Sequence, residues 1–317
     1  MAPELRGYRA EDLPALVALQ QACEPEHPLS ADDWRYLDSV PDPRAKSGRL
    51  VLDDGHALVG YVSYTQLSMI YDPGRFAFTG GVAPGARGRG LGRRLYHALV
   101  EALAPHAPRN LSLGCWEQQR AGLDWLAALG YRECLRETES SLELADFDPA
   151  AHAQRWADAE RAGFRLCSLA ALGDTAARRR QIYALDMGFS TDIPTSAPFT
   201  PPDFAIYEHL LFGEPGYRAE HCSVALEQDE PVALCWHTLG SATPTVQTSV
   251  SGVRRDRRGR GLAMALKSRA LAALKASGAG RVSTRNAVSN VGMLTVNARL
   301  GYRPCGARIV VEKEMES

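Results

Sequence analysis

The chain is expected to fold as an α/β (α+β) protein built twice over, and three observations carry that expectation. The pentapeptide Arg87-Gly88-Arg89-Gly90-Leu91 recurs as Arg258-Gly259-Arg260-Gly261-Leu262. At the same offset of 171 positions, Gly130-Tyr131-Arg132 recurs as Gly301-Tyr302-Arg303. In each half, strand-like apolar runs are interleaved with segments of helical period. A repeat this long means a duplicated globular unit and not a solenoid. Half of 317 residues is enough to bury a core.

In the first half, apolar residues recur at helical spacing over 12–23, and Ser30-Ala31-Asp32-Asp33-Trp34 opens a second short helix from a capping serine. Segments 49–53, 57–69 and 76–82 read as strands of an antiparallel meander, parted by turns at Asp53-Asp54-Gly55 and Asp72-Pro73-Gly74. Leu91, Leu95, Leu99 and Leu103 then fall on one helical face, followed by a strand over 111–116, a helix over 119–129 and one or two strands over 131–144. The second half repeats this order. Helices over 174–185 and 202–211 precede strands over 222–227, 232–239 and 245–253, and helices over 261–277 and 290–300 flank a strand over 282–286. The offset that maps the loops also carries Leu91, Leu95 and Leu103 onto Leu262, Leu266 and Leu274, so the buried helix face is repeated too. The predicted domains are 1–145 and 164–317, joined by a charged linker helix over 146–163.

Composition narrows the function classes. Hydrophobic residues at 45% and charged residues at 23% fit a globular protein. A formal net charge of -1 gives no global field toward nucleic acid or an anionic membrane, so neither is an expected partner. The seven cysteines are scattered, odd in number and without a Cys-x-x-Cys pair, as expected of reduced thiols in the cytosol. No apolar stretch opens the chain and no uncharged run reaches the roughly 18 residues of a membrane span, so a cytoplasmic location is expected. No metal-ligand spacing is present.

The repeated loop carries the chemistry. A strand ending at Val82, a turn of Arg and Gly, and a helix opening at Gly90 together make an anion site. The first N–H groups of a helix lack internal partners, and the macrodipole adds about half a positive charge there. Glycines allow a phosphate close to the backbone, and Arg87, Arg89 and Arg93 add charge-assisted donors. The spacing is neither that of a P-loop nor Gly-x-Gly-x-x-Gly, so NTP hydrolysis and dinucleotide binding lose their main support.

The pattern Arg-x-x-Gly-x-Gly/Ala between a strand and a helix, seen from Arg87 through Gly92 and from Arg258 through Ala263, resembles the acyl-CoA loop of the GCN5-related N-acetyltransferases (GNAT). The tail of each half agrees: Asn290, Met293, Asn297, Gly301 and Tyr302 match the family's later helix, as do Gln119, Gly122, Leu126, Gly130 and Tyr131. The whole is similar to tandem two-domain acetyltransferases of the mycothiol synthase type. The resemblance implies two GNAT-like domains, each a mixed, mostly antiparallel sheet flanked by helices with splayed central strands. It implies acetyl-CoA as co-substrate, with no metal, at Val82, Arg87, Gly88, Arg89, Gly90, Leu91, Gly92 and Arg93. In the second half it implies the same of Val253, Arg258, Gly259, Arg260, Gly261, Leu262, Ala263 and Asn290.

Acetyl transfer to an amine needs a base for the amine, a donor for the carbonyl oxygen and, commonly in this family, a tyrosine for the departing thiolate. The tyrosine position is Leu126 in the first half and Asn297 in the second, and segments 76–82 and 245–253 hold no carboxylate. General acid and base are therefore not assignable from sequence. Asn297 is the candidate catalytic residue, because it can hydrogen-bond a sulfur, and the second half is the expected seat of chemistry. The expected acceptor is a small-molecule primary amine, and the protein a monomer or homodimer. Two rivals stay open: a CoA-binding regulatory or scaffold module, and transfer of a longer acyl chain.

Overall fold

The computed structural model describes residues 2–315. The chain forms two compact units: one runs up to Leu135 and regains the chain from Ile309 onward, and the other spans Arg136–Arg308.

The first unit contains strand β1 (Glu4–Gly7), helices α1 (Leu13–Cys23) and α2 (Ala31–Asp38), strands β2 (Ser47–Asp53), β3 (Leu58–Thr65) and β4 (Arg75–Val82), helix α3 (Leu91–Leu103), strand β5 (Asn110–Trp116), helix α4 (Arg120–Ala128) and the start of β6 (Arg132–Glu143). The second contains the rest of β6, then α5 (Ala153–Arg161), β7 (Phe164–Ser168), α6 (Leu169–Leu172), α7 (Ala176–Ser190), α8 (Phe204–Phe212), β8 (Tyr217–Glu227), β9 (Glu230–Leu239), β10 (Thr245–Val253), α9 (Leu262–Ala276), β11 (Arg281–Ala287), α10 (Val291–Arg299) and the first residues of β12 (Arg303–Glu314).

Within the first unit the strand order is β1-β2-β3-β4-β5, followed by the end of β12. The meander β2-β3-β4 is antiparallel, as expected, and β4 meets β5 in parallel. The second unit runs β6-β11-β10-β9-β8-β7, with the parallel pair now β10 and β11. In both units the amphipathic helix packs as the repeat predicts: Leu95, Leu99 and Leu103 are buried among Val62, Phe76 and Leu111, and Leu262, Leu266 and Leu274 are at most 2% exposed. Ser30 caps α2 as its sequence indicates, accepting from Asp33 N while the Asp33 carboxylate accepts from Ser30 N.

Four features differ from the sequence expectation. Strands β1 and β7 were not anticipated, being short edge segments of 4 and 5 residues without a strong alternating signal. The unit boundary falls at 135/136 and not at 145, because Glu137–Glu143 pairs antiparallel with β11. The chain's end returns to the first unit, where Glu312 bonds Arg75 at 2.8 Å and Met315 N bonds Arg109 O at 2.9 Å. Nor is 146–163 a mere linker: Phe147 and Ala159 are buried in the second unit's core, and Trp156 Nε1 donates to Ser268 Oγ at 2.8 Å. Among the described residues, no helix is long and apolar enough to cross a membrane, and no group of three or more His, Cys, Asp or Glu could hold a metal ion.

Candidate active site

The two loops share one local geometry. Gly88 and Gly90 have φ of 76° and 77°, and Gly259 and Gly261 of 76° and 75°, the left-handed region that glycine adopts without a Cβ penalty. No neighbour lies within 4 Å of where a Cβ would stand at any of the four, so conformation and not crowding demands glycine there. Gly90 and Gly261 occupy the N-caps of α3 and α9 with no side chain accepting from the first turn, which keeps those N–H groups available to an anion. Arg87 Nε donates to Val82 O and Arg258 Nε to Val253 O, each at 3.0 Å, tying each loop to the strand before it.

Beside each loop the sheet opens. Pairing of β4 with β5 ends at Ala77 and Ser112, and that of β10 with β11 at Thr248 and Thr284. From there the strands part, and backbone groups on the facing edge are free to bond an extended, amide-bearing ligand. In the first unit the gap opens into a cavity of about 860 Å³ that Val82, Arg87, Gly88, Gly90, Leu91, Gly92 and Arg93 all help to line, together with Gly80 and Gly81. Arg89 is exposed on the same loop. Helix α4 adds Leu126, its preceding turn adds Gln119, and α1 adds Cys23 and the residue that caps it, Glu24.

In the second unit different side chains stand at the equivalent positions. A Cβ at Gly252 would stand 2.4 Å from the ring of Phe189, which is 2% exposed, whereas the matching Gly81 faces the smaller Cys23, its Sγ 2.8 Å away. Arg258 is drawn to Asp192, with Nη2 to Oδ2 at 2.7 Å, and Arg255 pairs with the same carboxylate, so that Asp192 is held well below the usual carboxylate range. Val253 and Leu262 are buried, Gly259, Arg260 and Gly261 are exposed on the loop, and Ala263 packs against the core. Asn290 is a helix cap, its Oδ1 accepting from Met293 N at 3.3 Å.

Asn297 does not present itself to a substrate. It is 1% exposed; Lys267 Nζ donates to its Oδ1 at 2.5 Å and its Nδ2 donates to Asn286 Oδ1 at 2.7 Å. Its expected catalytic role is therefore corrected: a buried ammonium needs that acceptor, so the amide is committed to the core. By the 171-residue offset, Lys267 takes the place of Tyr96 and Asn297 that of Leu126. Burial pulls Lys267 down to about 8, and His237 nearby, wholly buried, to about 3.

Residues that the sequence did not single out surround the first unit's cavity. Glu24 receives bonds from Gln20 and Gln119, and Tyr61 lines the wall beside it. Burial pushes the Tyr61 phenol and the Cys23 thiol above their ordinary values, Glu24 adding to the first effect and Arg87 opposing the second. Tyr96 also lines the cavity, and its hydroxyl accepts from Tyr131 at 3.3 Å. No sequence signal marks Glu24, which ends a helix some 60 residues before the loop.

Residues 13–131 match the model of the acetyltransferase (GNAT) family. The first unit is a GNAT domain. No curated protein matches the chain. The tandem GNAT protein from the clavulanic acid biosynthesis pathway superposes with a TM-score of 0.77 at 19% identity, over 99% of both chains. A GCN5-related N-acetyltransferase from Sphaerobacter thermophilus gives 0.71 at 19% identity, over 99% of this chain and 96% of that one. A glucosamine N-acetyltransferase region of a fungal multi-domain GH3 β-N-acetylglucosaminidase gives 0.72 at 16% identity, over 99% of this chain and 38% of that one. The tandem GNAT fold thus extends over both units.

Proposed function

We propose that the chain transfers an acetyl group from acetyl-CoA to the primary amine of a small molecule, and that the first unit holds the acetyl-CoA. The observation that carries this reading is the coincidence, in that unit, of a glycine loop at a helix N-terminus, a splayed strand pair and an open cavity. The diphosphate would sit on the first turn of α3 with Arg87 and Arg93, and the pantetheine arm along the free edge of β4. In the second unit Phe189, Lys267 and the Asp192 pairs occupy the corresponding positions, which favours one bound acetyl-CoA per chain over the two that the duplicated motif suggests.

Calorimetry on the full chain tests this. One equivalent of acetyl-CoA is expected to bind, Gly88→Glu to abolish it by placing a carboxylate on the anion site, and Gly259→Glu to leave it unchanged. Loss of binding in Gly259→Glu alone would reverse the assignment. Leu126, which cannot donate a proton, keeps a second reading in play, that of a CoA-binding module without turnover. Thiol release on adding a primary amine separates the two. The apolar inner wall of Phe78, Leu95, Leu99 and Leu126 also makes acyl-chain length worth varying.

A further inference from the structure

We propose that Glu24 receives the acceptor: it holds a primary ammonium group beside the thioester and takes its proton, so the acceptor is an amine that is cationic in solution. This rests on the acetyl-CoA reading of the first unit. Glu24 is the one carboxylate among the described residues that line the cavity, while Arg87 and Arg93 stand with the anion loop. It caps the C-terminus of α1, where the last carbonyls give a partial negative charge that favours a cation. The preceding residue fixes its place, because Cys23 Sγ lies 3.5 Å from Val82 O at the end of β4.

Two glutamines aim the carboxylate. Gln20 is 2% exposed and is locked by backbone, accepting from Leu29 N at 2.8 Å and donating to His27 O at 3.0 Å, with Nε2 also 3.5 Å from Glu24 Oε2. Gln119 accepts from Trp116 N at 3.0 Å and donates to Glu24 Oε1 at 3.4 Å. Both bonds to Glu24 are long, so they orient it and leave most of its roughly four lone-pair sites for another donor. An ammonium group is that donor. Tyr61 and Cys23, which flank the same wall, keep their protons at neutral pH because burial raises both, and so cannot serve as the base. One ammonium proton passes to Glu24 and on to solvent. The neutral nitrogen then attacks the thioester carbon, the C–N bond forms as the C–S bond breaks, and a second nitrogen proton ends on the departing sulfur as CoA thiol.

The test uses the full chain, acetyl-CoA, a panel of primary alkylamines (benzylamine, spermidine and glucosamine) and 4-methylaniline, which is neutral at pH 7. Thiol release reads turnover and calorimetry reads acetyl-CoA binding. For Glu24→Gln, kcat/KM for the best alkylamine is expected to fall about 10²–10³-fold, and that for 4-methylaniline several-fold at most, with acetyl-CoA binding unchanged. Glu24→Asp is expected to recover part of the loss. Retention of alkylamine turnover within about threefold, or an equal loss for alkylamine and arylamine, overturns the proposal and leaves the acetyl-CoA site standing. So does acetyl-CoA binding by the parent chain without transfer to any amine of the panel. Failure of the parent chain to bind acetyl-CoA, or loss of that binding in Gly259→Glu and not in Gly88→Glu, removes the underlying reading instead.

Discussion

Lys267 offers a sharp test of how the second unit is stabilised. Its side chain is sealed inside that unit, with Asn297 Oδ1 at 2.5 Å and the Tyr302 ring centroid at 4.9 Å, and burial lowers its pKa from 10.5 to about 8. The unfolded chain therefore holds this proton more tightly than the native chain does. Below pH 8 both states are protonated and the native state bears the whole desolvation cost; as pH rises from 8 to 10.5 that cost disappears. It amounts to about 3 kcal/mol. The replacement Lys267→Met keeps the length and removes the charge, so its stability relative to the parent should be highest near neutral pH and should decline by about 3 kcal/mol across that window. Cys235, whose thiol is coupled to Lys267, is replaced by alanine in both proteins; the other buried cysteines and the tyrosines are common to both and cancel in the difference. Urea titrations followed by tryptophan fluorescence from pH 7 to 10.5 measure it. A difference that stays flat to within about 1 kcal/mol would refute the assignment of Lys267 as a buried, charged lysine.

Other outcomes follow from the same contacts. Gly90→Ala and Gly261→Ala both place a Cβ at positive φ in open space, so each should lower stability by about 1–2 kcal/mol in thermal melts, yet only Gly90→Ala should weaken acetyl-CoA binding. Gly252→Ala drives a methyl into the Phe189 ring and should destabilise the second unit by about 1–3 kcal/mol, a loss that adding Phe189→Leu reverses in chemical denaturation. His237, held to about 3 against an ordinary 6.5, contributes stability that is present above pH 6.5 and fades as pH falls toward 3. Acid unfolding of His237→Leu, followed by circular dichroism, should show a shallower loss through that range than the parent.

Much of this molecule was legible before its structure, and the divide between what was and what was not is one of sequence distance. Loop, helix start and buried leucine stripe are set by residues within a few turns of one another: only glycine relieves the positive φ at 88, 90, 259 and 261, and the period of Leu91, Leu95, Leu99 and Leu103 fixes which face packs. Comparison of the two copies therefore locates the repeated fold and the glycine loop at the helix start in each half. It did not reveal that Glu137–Glu143 pairs with β11 and that the chain's end returns to the first unit, because strand pairing depends on edges far apart in sequence.

The candidate site divides the same way. Sequence alone placed a glycine loop at a helix N-terminus in each half, since the glycines and the helix start are contiguous. Tertiary packing decided what surrounds each loop: in the first unit Cys23 stands beside Gly81 at the edge of an open cavity, whereas in the second Phe189 stands against Gly252 and Lys267 holds Asn297 in the core. Packing alone also carried the end of α1 to the wall of that cavity, which is how Glu24 meets Gln119 across 95 residues of chain. Local propensity writes itself into short stretches of sequence; the shape and charge of a cleft are properties of side chains that only folding brings together.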